Sequence, residues 1–404
     1  MTGIIKTDQL QGAQSTTVTI PSGTALNVTT VSGTPTFSGD VTLPSINGGQ
    51  IGGRRNMIIN GAMQIAQRAS TVTGIGGSSG YFTADRWRIN VNGSSAGRLT
   101  MKHAAPNDLP GFQRSIKLEC TTADTSIAAA ERMFLETKLE GQDVQGMMKG
   151  TSDAKAVTVS FYVKGHDSAT YTVGLYEATT GRKIAATFPV TTSWARQTVT
   201  FPGDTTGVIP NDNTAQLHLR FYLHSGSNYT SGTLGTSWNA DGNTTQISSS
   251  GNSFFESTSA EFFLTGVQME IGEQATPFEH RSFGEELQLC KRYFQVLADG
   301  SRSQNEAICA GTYYTASILF HSVVLPVEMR AQPTMVTTNG TNYYITFANG
   351  GGDHHDAIAR SGNSSKSVVE ITAETNVSGT SGHACFTRIG GTSSDAKCMF
   401  DAEL

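Results

Sequence analysis

The sequence predicts an all-β protein, and three observations carry that reading. Charged residues make up only 15% of the 404-residue chain while Gly reaches 44, a composition suited to turn-rich β structure rather than to helices. Alternation with a period of two recurs along most of the chain, most clearly where Leu217, Leu219, Phe221 and Leu223 alternate with His218, Arg220, Tyr222 and His224. A helix is signalled with a mechanism at one place only, after the strand that begins at Phe262. The length allows two or three domains, each able to bury a core.

Residues 1–52 hold short apolar beats (Val18 and Ile20, Leu26 and Val28, Val41 and Leu43) separated by turns such as Pro21-Ser22-Gly23 and Ser38-Gly39-Asp40. Strands of that size cannot build a core alone, so the segment is expected to dock on something else or to intertwine with sister chains.

From residue 53 to 281 the strands lengthen. Met57, Ile58 and Ile59, then Met63 and Ile65, are expected to open the domain; Trp87 and Ile89, Leu99 and Met101, and Ile116, Leu118 and Cys120 continue it. The string from Ala128 to Leu139 has helical propensity but is read as strand in its main part. Val157, Val159, Phe161 and Val163 form a core strand with one wet face. Tyr171 to Leu175 and Ile184 to Phe188 make a hairpin around Thr179-Thr180-Gly181-Arg182. A long polar loop, Ser225 to Asn252, is expected to carry Tyr229 and Trp238 at the surface. The strand from Phe262 to Ile271 is apolar on both faces, with Phe263, Thr265, Val267 and Met269 on one of them, and should lie inside a packed sheet.

Residues 282–296 are read as a junction helix, because Ser282 followed by Glu285 is a capping box. Phe283, Leu287, Cys290 and Phe294 then fall on one stripe, expected to pack between two β domains. Residues 297–404 form the second β domain, with strands at Tyr313–Phe320, Val323–Val327, Met335–Thr338, Tyr343–Phe347, Val368–Ile371, Ala384–Ile389 and Cys398–Phe400. Gly350 to Asp356 and Asn376 to Gly382 read as its loop tips.

The stretch TGVQMEIGEQATPFEHRSFGEELQLCKRYF, ending at Phe294, resembles the closing strand and junction helix of virion proteins of tailed phages, tail fibres or minor structural proteins, especially those of marine bacteria. NMIINGAMQIAQR (Asn56 to Arg68) with YFTADRWRI (Tyr81 to Ile89), VTVSFYVKG (Val157 to Gly165) and the terminal FDAEL are similar to other parts of the same family. That resemblance, spread over residues 56–404, implies a jelly-roll-like β-sandwich of carbohydrate-binding-module type followed by a second small β-sandwich domain. It implies a trimeric tail-fibre or spike subunit that docks on the particle through residues 1–52 and adheres to a host surface glycan or receptor. A head-decorating capsid fibre and a polysaccharide-degrading spike are the alternatives.

A net charge of −5 without long blocks of one sign argues against nucleic-acid binding, and no run of eighteen apolar residues provides a membrane span. The five cysteines show no Cys-x-x-Cys spacing and no leader opens the chain, so reduced thiols and assembly in a host cytoplasm are expected. No cofactor motif and no catalytic motif is present, so an enzyme is not expected.

The outward row His218, Arg220, Tyr222 and His224 has the ring-bearing and cationic character of a sugar platform, with Tyr162 and Lys164 expected nearby. A solvated face or a subunit contact is the competing reading. Asp353, His354, His355 and Asp356 are metal-ligand types, but neighbouring residues point apart, so a solvated loop is the better reading. Asp85, Glu131 and Glu136 are the acids most embedded among core strands; Asp85 and Arg86 are expected to pair with each other beneath Trp87.

Overall fold

The computed structural model describes residues 54–93, 95–391 and 394–404; the expectations for residues 1–52 lie outside these described residues. Across Arg88 to Asn92 and on to Ile271 the alternation produces long antiparallel strands. In chain order they are β1 (Thr71–Ile75), β2 (Gly80–Tyr81), β3 (Arg88–Asn92), β4 (Arg98–Ala104), β5 (Ser115–Thr122), β6 (Arg132–Glu140), β7 (Val157–Gly165), β8 (Ala169–Glu177), β9 (Lys183–Val190), β10 (Ala195–Phe201), β11 (Ala215–Ser225) and β12 (Glu261–Ile271). They form two six-stranded sheets, ordered β1-β4-β5-β12-β7-β10 and β2-β3-β6-β11-β8-β9. Strands distant in sequence are neighbours, as in a jelly-roll-like sandwich.

The inner faces meet in one core. Leu217, Leu219, Phe221 and Leu223 are all buried inward, as the alternation requires. Phe161 of β7 and Phe221 of β11 cross between the sheets edge to face at 4.9 Å, and Trp87 stands 6.2 Å from Phe221. Each such ring contributes roughly 1.5–3 kcal/mol by leaving water. Trp87 satisfies its indole N–H on the Asn60 carbonyl at 3.1 Å.

Three local expectations need correction. The segment 56–68 is not a pair of strands: Asn60 and Met63 take positive φ, and the chain instead fastens to β12 through Met57 N–H to Met269 O and Val267 N–H to Gly61 O. In β12 the alternation does not run through. A bulge between Thr265 and Gln268, turned by Gly266 at φ 59°, leaves Phe263 and Thr265 on the outer face but puts Val267 and Met269 in the core with Phe262 and Leu264. Asp85 and Arg86 do not pair with each other. Asp85 receives Gln67 and lies 3.6 Å from Arg68, while Arg86 lies over the Tyr293 ring and pairs with Glu403.

The helix starts where expected: it spans Phe283–Lys291, and the Ser282 side chain accepts from the Glu285 N–H. Its buried face keeps only part of the apolar stripe, however. Phe283 is 61% exposed, Leu287 is half-buried, and Phe294 belongs to the next strand. The inward residues are Cys290, which belongs to the stripe, and Glu286, which accepts from the Asn60 N–H at 2.6 Å and pairs with Arg281 at 3.3 Å, so a charged anchor helps hold the helix against the opening segment.

The second domain contains β13 (Phe294–Asp299), β14 (Ala307–Thr315), β15 (Ile318–Val324), β16 (Thr334–Thr338), β17 (Tyr344–Ala348), β18 (Gly351–His355), β19 (Ala359–Arg360), β20 (Val368–Ala373), β21 (Ala384–Ile389) and β22 (Lys397–Asp401). They pair as β13-β22-β16 and β18-β17-β21-β14-β15-β20-β19 around a separate apolar core. The stretch Tyr313 to Phe320 is a hairpin rather than one strand, and Gly351 to His355 is a strand rather than a loop tip. The two cores join through a polar seam: Glu140 of β6 accepts from Arg292 at 2.8 and 2.7 Å and from the Tyr293 hydroxyl at 2.6 Å.

Candidate functional site

The row expected to be a platform does point away from the sandwich core, but it is covered. His218, Arg220, Tyr222 and His224 are 7%, 9%, 4% and 1% exposed. The physical reason is mutual satisfaction with the flanking strands. Register places Arg220 opposite Glu136 and Glu136 opposite Arg88. Glu136 Oε2 accepts from Arg220 Nε at 3.1 Å and lies 3.2 Å from His218 Nδ1, while Oε1 accepts from Arg88 at 3.0 Å. Burial alone would push the Glu136 carboxyl up; the His218 hydrogen bond and the Arg220 charge outweigh it and hold the group well below the usual carboxylate range. The Arg220 guanidinium lies over Tyr176 at 4.1 Å, and Phe134, Tyr222 and Ile247 form a small apolar patch under the loop that follows β11. The row is therefore no open platform, and of its four members Tyr222 alone lines a neighbouring pocket.

Tyr162 and Lys164 are not near that row; they lie on β7, in the other sheet. The Tyr162 ring meets the Phe112 ring at a tilt, 5.1 Å between centres. Asp85, Glu131 and Glu136 are all buried, and they sit in separate hydrogen-bonding environments rather than facing one cleft as an acid pair. In the second domain His355 is buried, with Nε2 3.0 Å from Thr346 Oγ1, and Asp353 accepts from the Tyr313 hydroxyl at 3.0 Å, so the four residues from 353 to 356 share no ligand centre.

The accessible site is on the outer face of the sheet that holds β7. There the register draws one line across the strands: Lys102 of β4 opposite Lys117 of β5, Lys117 opposite Phe263 of β12, and Phe263 opposite Lys164 of β7. Trp194, the residue before β10, comes next, because Ala195 pairs with Val163. Strands lie about 4.8 Å apart, so the line is about 19 Å long, the scale of a short oligosaccharide. Trp194 and Phe263 are half-buried and meet edge to face at 6.0 Å. The connection after β4, Ala104 to Asp108, walls one side and encloses a cleft of about 380 Å³.

The polar groups of the cleft are held in place by one another. Lys102 and Lys117 each reach Glu119 at 2.6 Å, Lys117 also reaches Glu261 at 2.7 Å, and Lys164 reaches Asp108 at 2.9 Å. Partial burial disfavours the Lys117 charge, but the hydrogen bonds to Glu119 and Glu261 outweigh it and raise its pKa, so it stays cationic. The Lys117 and Lys164 ammonium groups stand 5.1 and 5.8 Å from the Phe263 ring centre. Two ring systems flanked by fixed donors and acceptors can stack on the C–H face of a sugar and bond its hydroxyls. Sequence reading missed this line because its members lie on five different segments and only pairing unites them; the available signal was an exposed-type Trp194 in a Thr/Ser-rich turn.

Fold and site together define a β-sandwich protein with an aromatic, hydrogen-bonding cleft on one sheet. No family model matches the sequence. No curated protein matches it either. Among solved structures, the chain is similar in part to a carbohydrate-binding module, TmCBM61 in complex with β-1,4-galactotriose, at 8% identity over 54% of this chain and 99% of that one, TM-score 0.27. It is also similar in part to the enzymatically active domain of bacteriophage CBA120 tailspike protein 4, at 11% identity over 54% of this chain and 21% of that one, TM-score 0.26. The tandem CBM22 domains of Paenibacillus barcinonensis Xyn10C give 12% identity over 90% of this chain and all of that one, TM-score 0.25. This chain spans about a fifth of the tailspike chain. The reading of the cleft rests on its own side chains.

Proposed function

We propose that this is a non-catalytic glycan-binding protein whose sandwich holds a surface oligosaccharide along the line Lys102, Lys117, Phe263, Lys164 and Trp194. The observation that carries it is the accessible Trp194–Phe263 pair, with Phe263 at the centre and Trp194 at the end of a register line of charged, prearranged hydrogen-bonding groups. Each cleft would bind weakly, and several copies on one particle would supply avidity. Incubating fluorescently labelled protein with bacterial cells, with and without soluble surface polysaccharide as competitor, tests the reading. Retention lost on competition supports it, and retention indifferent to polysaccharide contradicts it.

The biological setting we infer is a phage particle, with this chain as a trimeric tail-fibre or spike subunit attached through residues 1–52. The support is the sequence resemblance of residues 56–404 to tailed-phage virion proteins. Light scattering on the full-length chain tests the trimer, and antibody labelling of intact particles tests tail against head placement. A monomer mass at micromolar concentration, or labelling of the head, overturns the corresponding part.

A further inference from the structure

At one end of the sandwich, away from the cleft, the connection from β5 to β6 brings Asp124 and Glu131 against His224 near the end of β11. One ligand atom from each of the three lies within 4.8 Å of the others, and all three residues are buried. We propose that Asp124, Glu131 and His224 form a binding site for a divalent first-row transition metal of the Zn²⁺ class.

The donors argue for it one by one. His224 Nε2 lies 3.3 Å from Glu131 Oε2, near the ligand-to-ligand spacing around a tetrahedral ion, while its other ring nitrogen is held by Ser253 Oγ at 2.8 Å. A metal-binding imidazole is oriented in this way through the ring nitrogen it does not use. Asp124 accepts from the Ser95 hydroxyl at 2.7 Å and from the backbone N–H groups of Ala96 and Ser126 at 2.8 and 3.2 Å, contacts that fix the orientation of its carboxylate.

The charge balance and the surroundings of the cluster agree with a bound cation. Glu131 is only 5% exposed and Asp124 only 6%, and among the described residues neither carboxylate pairs with a lysine or arginine. Two buried carboxylates with no cationic lysine or arginine beside them hold negative charge that a bound metal ion would offset. In addition, Asp124 lines a pocket of about 430 Å³, with Ser225, Ser253 and Glu256 beside it. One imidazole nitrogen with two carboxylate oxygens suits Zn²⁺ or Mn²⁺ better than Ca²⁺, which takes oxygen ligands.

The test is zinc titration of full-length protein first stripped with a chelator, read by calorimetry and by elemental analysis after dialysis. The wild type should take up one Zn²⁺ per chain with a rise in melting temperature. His224→Gln and Glu131→Gln should lower that affinity at least tenfold while melting normally without metal. Absence of stoichiometric uptake by the wild type, or unchanged uptake by folded variants, overturns the site. If the variants fail to fold, the wild-type imidazole resonances decide: Zn²⁺ must shift those of His224, and a titration that leaves them unmoved overturns it equally.

Discussion

Arg220 Nε donates to Glu136 Oε2 at 3.1 Å between neighbouring strands, and the shared carboxylate also receives Arg88 from the other side. This buried relay turns the most conspicuous polar row of the sequence into a structural layer. Glu136→Ala, which strands Arg220 in the interior, should cost about 3–5 kcal/mol in urea unfolding. Glu136 is held below its ordinary range, so its contribution is present at neutral pH and is lost as pH falls through its folded value. A variant that unfolds with the parent midpoint would show that the relay carries no stability.

In the second domain His321 Nε2 lies 2.7 Å from Thr387 Oγ1, which contacts Thr346 at 2.6 Å and through it His355. Burial drives the His321 pKa down from 6.5 to about 4. The unfolded chain therefore binds a proton between these values that the folded chain does not. Stability is full above pH 6.5 and declines toward pH 4, by about 3 kcal/mol from this group. His321→Gln should flatten that decline in thermal melts taken from pH 7 to 4; an identical slope would place the acid sensitivity elsewhere.

The helix should respond to its buried charge rather than to Phe283. Glu286→Ala removes the acceptor of the Asn60 N–H and the partner of Arg281, and should cost about 3 kcal/mol. Phe283→Ala, on the solvent side, should change stability by under about 0.5 kcal/mol. Denaturant titrations of the two variants in the reverse order would contradict this geometry.

Gly266 turns the bulge in β12 that sets Phe263 outward. A Cβ there would stand 2.7 Å from the Phe112 ring and 2.8 Å from Tyr162, at a φ that side chains avoid. Gly266→Ala should destabilise by about 1–3 kcal/mol, and a neutral melting temperature would show that the bulge relaxes freely.

The all-β class, the inward faces of β7 and β11, the strand reading of Arg132 to Glu140 and the Ser282 cap were legible because each depends on local periodicity or a local hydrogen bond. What failed was anything decided by the partner strand. Alternation shows that His218 and Arg220 point away from Leu217 and Leu219, but not that Glu136 and Tyr176 await them there. A single inserted residue at Gly266 reverses the phase of β12 without leaving a local mark beyond the glycine itself. The cleft was illegible for the same reason, since Lys102 and Trp194 become members of one site only through three intervening strands.

The most direct measurement is binding of the full-length protein to an array of neutral and acidic bacterial oligosaccharides, repeated for Trp194→Ala and Phe263→Ala. The account predicts that the parent binds at least one class and that each variant, folded and of the same oligomeric state, loses at least tenfold in affinity, about 1.4 kcal/mol. Variants that bind as the parent does, or a parent that retains none of the oligosaccharides, would contradict the assignment of the cleft.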